Sequence, residues 1–438
     1  MERVILERWT IDGGRYQTPG SAVNAGRSAF PRWDDAGGGQ RMQAKEILGA
    51  VLAATVVWFP APEGAAAATR RVPGEFATIT EAVAAADSGD VVLVEPGVYS
   101  ESVVLAEGRG DGITLESTGG AEATTIRYPE GEKLDPNEAV VTLQRCSETT
   151  RLRGFTIDGR DVAARGVLVH SDSRPALSGL VIRGCAYGVA AQRGAAPVVD
   201  SVRVIEARTA GLLVADASAH VRAAELTDGA KFGVYVDGTR DTLRLRDLAV
   251  MRNGVGLQVV DGDVLVDGGT FAANGQAAMI FRGVSPEVRG AIVEDQPNVG
   301  VVLERCGGSI TACTIRGNRF GLVTAIGGAP VIRRCTFQDN SAYHLGAEGD
   351  AAPIVGGGPD AANRFLGTPG IAALRSSSSA SVDASYNDWG AACPDSTSFR
   401  RDGAGELVTS PWVWGEPPRA FESCEEPGGE AATTPGPE

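Results

Sequence analysis

The most constraining feature of this 438-residue chain is a segment of about 22 residues that repeats through its middle. Cut before one recurring hydrophobe, the pieces run Val167–Gly188, Val189–Gly211, Leu212–Gly233, Val234–Gly256, Leu257–Ala278, Met279–Gly300, Val301–Gly321 and Leu322–Tyr343. Looser units flank them at Val141–Gly166 and His344–Gly370. A repeat this short, β-branched and glycine-punctuated makes one coil of a β-solenoid, in which each unit packs only on its neighbours. Helical and leucine-rich repeats need a helical spacing that is missing here.

The columns predict the faces. One strand carries Phe155, Leu180, Val202, Ala224, Leu248, Gly269, Ala291, Cys313 and Cys335 at equivalent positions. Two residues on come Ile157, Ile182, Val204, Leu226, Val250, Phe271, Val293, Ile315 and Phe337. Side chains two apart on a strand share a face, so both columns point inward. A second strand repeats the pattern from Val167 and Val169 to Leu322 and Thr324. Glycines 166, 188, 211, 233, 256, 300 and 321 precede it, where the pattern predicts a turn with positive φ. Asn253, Asn274, Gln296, Asn318 and Asn340 share a turn and should form a structural amide ladder. Phe76–Val83 reads as an amphipathic helix, Thr78 and Glu81 having capping-box spacing, that plugs the N-terminal end. Val91–Val94 reads as the first buried strand. The expected fold is all-β: a right-handed parallel β-helix of about 11 or more coils with a short N-terminal capping helix.

Two stretches resemble known proteins. Phe76–Ala86 with the run from Gly89 to Glu101 resembles the opening of pectin-lyase-like β-helix proteins, including pectin methylesterases. Ala384-Ser385-Tyr386-Asn387-Asp388-Trp389-Gly390 resembles the closing motif of secreted parallel β-helix repeat proteins. The resemblance spans about Phe76 to Trp414 and implies architecture; that superfamily mixes lyases, esterases, hydrolases, epimerases and binders.

Outside the repeat, residues 1–41 lack periodicity and read as a disordered leader or a mis-assigned start. Residues 42–68 read as a signal peptide: Lys45, then the apolar run Ile47–Phe59, then small residues at Ala65–Ala68. The solenoid should occupy 69–415, and the Pro-, Gly- and Glu-rich 416–438 reads as a disordered tail. Export predicts a secreted protein, extracellular or periplasmic, with no membrane span once mature. The net charge of −15 argues against nucleic acid as partner. Of seven cysteines, Cys393 and Cys424 are expected to pair and staple the C-terminal end, while Cys313 and Cys335 stack one coil apart and either pair or stay reduced.

Chemistry is harder to read. Pectin methylesterases use a Gln-Asp-Thr-Leu motif and a second Asp one coil on. Arg240-Asp241-Thr242-Leu243 resembles the first, with Arg for Gln, and Asp261 and Asp263 follow one coil later. The family's Arg-Trp context is missing. Catalytic candidates are therefore Asp237, Asp241, Asp263 and Arg282, as acid–base carboxylates and an anion-binding guanidinium. His170, His220 and His344 lack metal-ligand spacing. No cofactor is indicated, although Asp216, Asp237 and Asp261 recur near the second strand's end and leave Ca²⁺ open. A binding row is expected from His170, Gln192, Asp237, Arg282 and Glu304, with Tyr235 on the same side. An outward apolar stripe comprises Leu168, Ala190, Leu213, Tyr235, Gln258, Ile280, Val302, Val323 and Leu345. It is expected to be covered by the stretch with Trp412, Trp414 and Phe421, or to serve oligomerisation. A third outward column, Arg153 to Arg333, reads as an ion-pair ladder or an anion-binding strip. These residues suit an extracellular binder of polysaccharide or cell-surface glycan; the alternatives are a lyase or esterase acting on uronate polymers, and a structural assembly protein.

Overall fold

The computed structural model describes residues 67–131, 139–367, 371–391, 394, 396–415 and 418–424. The leader, the export segment up to residue 66, Cys393 and the tail beyond residue 424 lie outside the described residues. The described chain winds into a parallel solenoid of three sheets with 15, 12 and 13 strands, each strand pairing with its equivalents one coil away. The first sheet runs from Thr69–Val72 to Leu407–Val408, the second from Gly97–Ser100 to Arg364–Leu366, and the third from Val103–Ala106 to Phe399–Arg401.

The inward columns are as expected and fully buried. Ile157, Ile182, Val204 and Leu226 stack in the second sheet, and Val167, Val189, Leu212 and Val234 in the third. The first of the two expected strands is really two. Arg151–Arg153 belongs to the first sheet and Thr156–Asp158 to the second, with Gly154 between them at φ 78°. The same corner is left-handed in later coils at Ser201, Ala223, Asp247, Ala312 and Arg334. A single left-handed residue bends the chain sharply enough to change sheets, and here it is often not a glycine.

The glycines before the third-sheet strands correct another expectation. None of 166, 188, 211, 233, 256, 300 and 321 has positive φ. They are required for space: a Cβ on Gly233 would lie 2.6 Å from the Gly256 carbonyl oxygen and would collide with Val250. At these positions a side chain would clash because consecutive coils approach backbone to backbone, although Ala278 and His344 take the same register position in their own coils.

The amide ladder forms. The Asn253 N–H donates to Asn274 Oδ1 (3.0 Å), that of Asn274 to Gln296 Oε1 (2.7 Å), that of Gln296 to Asn318 Oδ1 (3.0 Å) and that of Asn318 to Asn340 Oδ1 (3.1 Å). A second run joins the Cys335 N–H to Asn363 and the Asn363 N–H to Asn387, inside the closing motif. Each amide satisfies a buried turn donor in the coil before it.

Both ends are closed. Helix Ile79–Ala85 has the complete Thr78–Glu81 capping box, and Glu101 accepts from the Ile79 and Thr80 N–H groups. One more strand, Thr69–Val72, precedes Val91–Val94 in the first sheet. At the far end Trp412–Trp414 pairs antiparallel with Arg419–Phe421, carrying regular structure past residue 415. Trp412 joins the interior core, and the Val413 N–H donates to Asn387 O. Trp412 and Phe421 thus pack against the end of the interior core while Trp414 is exposed, and none of them joins the outward cluster of Leu168, Ala190 and Leu213 that they were expected to cover.

Gly233→Ala should lower stability by about 1–3 kcal/mol, the usual cost of forcing a methyl group into a packed interior. Gly358→Ala, where a Cβ meets nothing within 4 Å, should be near neutral. Urea midpoints of the two variants check this, and equal midpoints would refute the steric account.

Candidate functional site

The outer face of the third sheet gathers most of the chemistry. Three columns run along it. The first reads Arg165, Tyr187, Ala210, Phe232, Val255, Ala277, Val299, Phe320, Tyr343 and Ala372. The second is the apolar stripe, and here the expected register slips. Leu322 pairs with Leu345 and Val323 with Gly346, so Leu345 points inward and is fully buried. That coil holds one extra residue, which turns every later side chain to the opposite face from the one expected. The stripe therefore continues from Val323 through Gly346 to Arg375 and Arg400.

The third column contains the expected binding row. His170, Gln192, Ala215 and Asp237 are in register. Between Val236 and Asp237 the pairing with the next strand shifts, so that Asp237 aligns with Asp261. Beyond this irregularity the column resumes as Arg282, Glu304, Ala325 and Glu348. Glu348 is a site residue that the slipped register concealed.

These groups do not form one constellation. Arg282 Nε donates to Glu304 Oε2 at 2.9 Å, a half-buried pair. His170 Nδ1 lies 2.9 Å from Ser171 Oγ; burial, then Arg193, Arg165 and Arg145, depress its pKa. Tyr235 packs on Phe232 with ring centroids 4.9 Å apart, and burial followed by Asp237 raises its hydroxyl pKa. Asp241 and Asp263 are exposed in the turns after two neighbouring third-sheet strands. The Asp241 N–H donates to Ser218 Oγ, and the Asp263 N–H to Thr239 Oγ1. Arg240, of the partial esterase motif, clamps coils together: Nε and Nη2 reach Asp216, and Nη1 reaches Asp172 at 3.1 Å. Asp216 is thereby neutralised, and among the described residues no three His, Cys, Asp or Glu side chains converge as metal ligands. The outward column of the first sheet forms ion pairs, Arg222 with Asp200 and Arg289 with Asp267.

A concavity lies at the C-terminal end of the same face. A cleft of about 440 Å³ is lined by Phe320, Tyr343, Arg375, Thr397, Phe399 and Arg400, with Ala342 and Ala372 between them. Gly346 makes it: a Cβ there would stand 2.7 Å from the Tyr343 ring, so the missing side chain lets the ring lie across the sheet. Phe320 and Tyr343 pack in register at 4.8 Å, and Arg319 sits over Phe320 at 4.9 Å. Arg375 and Arg400 share Asp402, at 2.9 and 3.1 Å. The Tyr343 hydroxyl donates to Glu348 Oε1 at 3.3 Å; burial raises the pKa of both groups. An aromatic wall beside guanidinium groups can stack a sugar ring and hold a carboxylate.

Behind Tyr343 the amide ladder ends on His344. Asn340 Oδ1 already accepts from Asn318, so its Nδ2 donates to His344 Nδ1 (2.9 Å), which must be unprotonated.

Residues 232–358 match the family model described as "Right handed beta helix region". With the sheet topology, this makes the chain a right-handed parallel β-helix protein, in keeping with its resemblance at both ends to pectin-lyase-like solenoids. No curated protein sequence matches it. Among solved structures it is similar to the A-module of the Azotobacter vinelandii mannuronan C-5 epimerase AlgE6, at 15% identity and TM-score 0.45, covering 75% of this chain and 95% of that one. It is also similar to the catalytic unit of the GH87 alpha-1,3-glucanase of Streptomyces thermodiastaticus, at 12% identity and TM-score 0.46, covering 82% and 71%. A third is the periplasmic alginate epimerase AlgG, at 12% and 0.41, covering 73% and 77%. Among the described residues no helix is long and apolar enough to cross a membrane.

Burial lowers the His344 pKa to about 4, from 6.5 for an unperturbed imidazole. A depressed histidine pKa means that the unfolded chain takes up its proton first. The favourable contribution of neutral His344 is thus complete above pH 6.5 and is lost as the pH falls towards 4. About 3 kcal/mol is at stake. His344→Gln should remove this part of the acid sensitivity. Comparing urea midpoints of the two proteins from pH 7 to 4 isolates it from the carboxylates, and parallel curves would show that His344 does not contribute.

Proposed function

We propose that this protein is an exported carbohydrate-binding β-helix whose third-sheet face receives an acidic polysaccharide, anchored in the C-terminal cleft. The observation that carries the reading is the meeting of Phe320, Tyr343 and Phe399 with Arg375 and Arg400 in one cleft. Stacking on an aromatic ring suits the apolar face of a pyranose, and a planar guanidinium suits a uronate carboxylate. The overall charge of −15 makes a local excess of arginine meaningful: the rest of the surface repels an anionic polymer, and this end attracts it. Gln192, Asp237 and the Arg282–Glu304 pair lie along the same face towards the N-terminus and extend the polar edge beside the track. Export draws its support from the apolar run Ile47–Phe59 and the small residues that follow it. Cys393 and Cys424 are proposed to pair. The other five cysteines are unbonded and buried in the coils, and a staple next to Trp412–Phe421 would hold the end of the solenoid shut.

A catalytic reading would rest on Glu348. Its half-buried carboxyl holds a proton more tightly than an exposed one, beside the Tyr343 hydroxyl and the cleft. A lyase or esterase of this design would lose turnover in Glu348→Gln and keep binding.

Titration calorimetry with oligogalacturonate, oligoalginate and a neutral glucan tests the binding reading. The acidic oligomers should bind in a salt-sensitive manner and the neutral one weakly. Arg400→Ala should weaken acidic-sugar binding about tenfold, the loss of a single charge-assisted contact, and Asp241→Ala should leave it unchanged. Equal affinity of the wild type and Arg400→Ala for the acidic oligomers would remove the cleft from the account.

A further inference from the structure

Among the described residues, Cys313 and Cys335 are the one pair of cysteines that occupy the same column in consecutive coils. Thr311 pairs with Arg333 before them and Thr314 with Thr336 after them, so they are in register. Parallel neighbours stand about 4.8 Å apart, inside the roughly 4.4–6.8 Å window of Cα separations that a disulfide spans. Both side chains are buried in the core and both are thiols in the structure. Cys146, Cys185 and Cys306 are also buried thiols, yet none has a cysteine at the matching position of an adjacent coil.

We infer that Cys313 and Cys335 form a redox site that closes to a disulfide between two consecutive coils in an oxidising medium. The reaction is thiol–disulfide exchange. One thiolate attacks a small-molecule disulfide such as oxidised glutathione, releasing one reduced thiol and forming a mixed disulfide. The second cysteine, as thiolate, attacks the protein sulfur of that mixed disulfide and expels the second reduced thiol. Two protein thiols are oxidised, one disulfide is reduced, and their two protons pass to the departing thiols. The polarity of the pair agrees with this order. A hydrogen bond from Cys335 lowers the Cys313 pKa, making it the first nucleophile, while burial raises that of Cys335.

The site's position gives the bond a consequence. The coil of Cys313 carries Phe320 and the coil of Cys335 carries Tyr343, the adjoining aromatic pair of the cleft. A covalent link in the core behind them would fix the spacing of those two coils.

The test uses the full-length protein, reduced, unfolded and refolded with either reduced and oxidised glutathione or dithiothreitol. After an acid quench it is alkylated in denaturant, digested and analysed by mass spectrometry. Expected from the glutathione arm is a linked pair of peptides holding Cys313 and Cys335, lighter by two hydrogens than the two thiol peptides, with Cys185 still alkylated. The oxidised protein should also unfold at higher urea than the dithiothreitol control. A second arm incubates already folded protein with oxidised glutathione in sub-denaturing urea, so that poor refolding does not decide the matter. Full alkylation of Cys313 and Cys335 in both arms overturns the inference. So does a mixture of cross-links in which either cysteine pairs as often with Cys306.

Discussion

Parallel coils stacked in register, one strand spacing apart, are the constraint from which the rest of this molecule follows. At about 4.8 Å each residue touches its own equivalents above and below before it touches anything else. Like therefore packs on like. Valine, leucine and isoleucine columns fill the interior, amides hydrogen-bond to amides along one corner, and Phe337, Phe365 and Trp389 continue as a stack with ring centroids 4.9 and 4.6 Å apart. The same geometry sets the penalties. Where backbones approach most closely glycine recurs in most coils, and a buried amide left without its neighbour strands a turn N–H, at a cost of about 1–3 kcal/mol.

Stacking also governs charge. On the exposed first sheet, Asp and Arg alternate irregularly and pair across coils, Asp200 with Arg222 and Asp267 with Arg289. Such exposed pairs contribute little each, and they do not remove every like-charge contact: Arg222 still faces Arg246. At the third sheet's C-terminal end Arg375 and Arg400 are stacked neighbours that both reach the carboxylate of Asp402.

Much of this was legible from the repeat. The inward columns and the amide ladder rest on local spacing that recurs many times, so errors in one coil are corrected by the others, and the capping box, though it occurs once, is a purely local signature. What escaped was information carried once. One additional residue before His344 moved Leu345 to the interior and hid Glu348. The corner between the first two sheets escaped because its left-handed residue is Ser201, Ala223 or Arg334 as readily as glycine, so no residue type announces it. The glycines of the third sheet were visible, but their cause was not: the clash is with a carbonyl a whole coil away. The cleft was illegible for the same reason. Phe399 and Arg400 come from the irregular last coils, and only the stacking brings them beside Phe320 and Tyr343.

The departures from the repeat coincide with the candidate chemistry. Gly346 breaks an apolar stripe and thereby lets Tyr343 lie flat. His344 stands in register with Gly321, one of the glycines, and ends the amide ladder on an imidazole. The half-buried carboxyl of Glu348 follows two residues after Gly346, hydrogen-bonded to the hydroxyl of that same tyrosine. A solenoid gains stability from repetition, so a coil that gives up a methyl contact, places an imidazole behind the wall and half-buries a carboxyl bears a local cost that its neighbours must offset. Three such exceptions within five residues, His344 to Glu348, next to the cleft, mark this coil as the one shaped by something other than stacking.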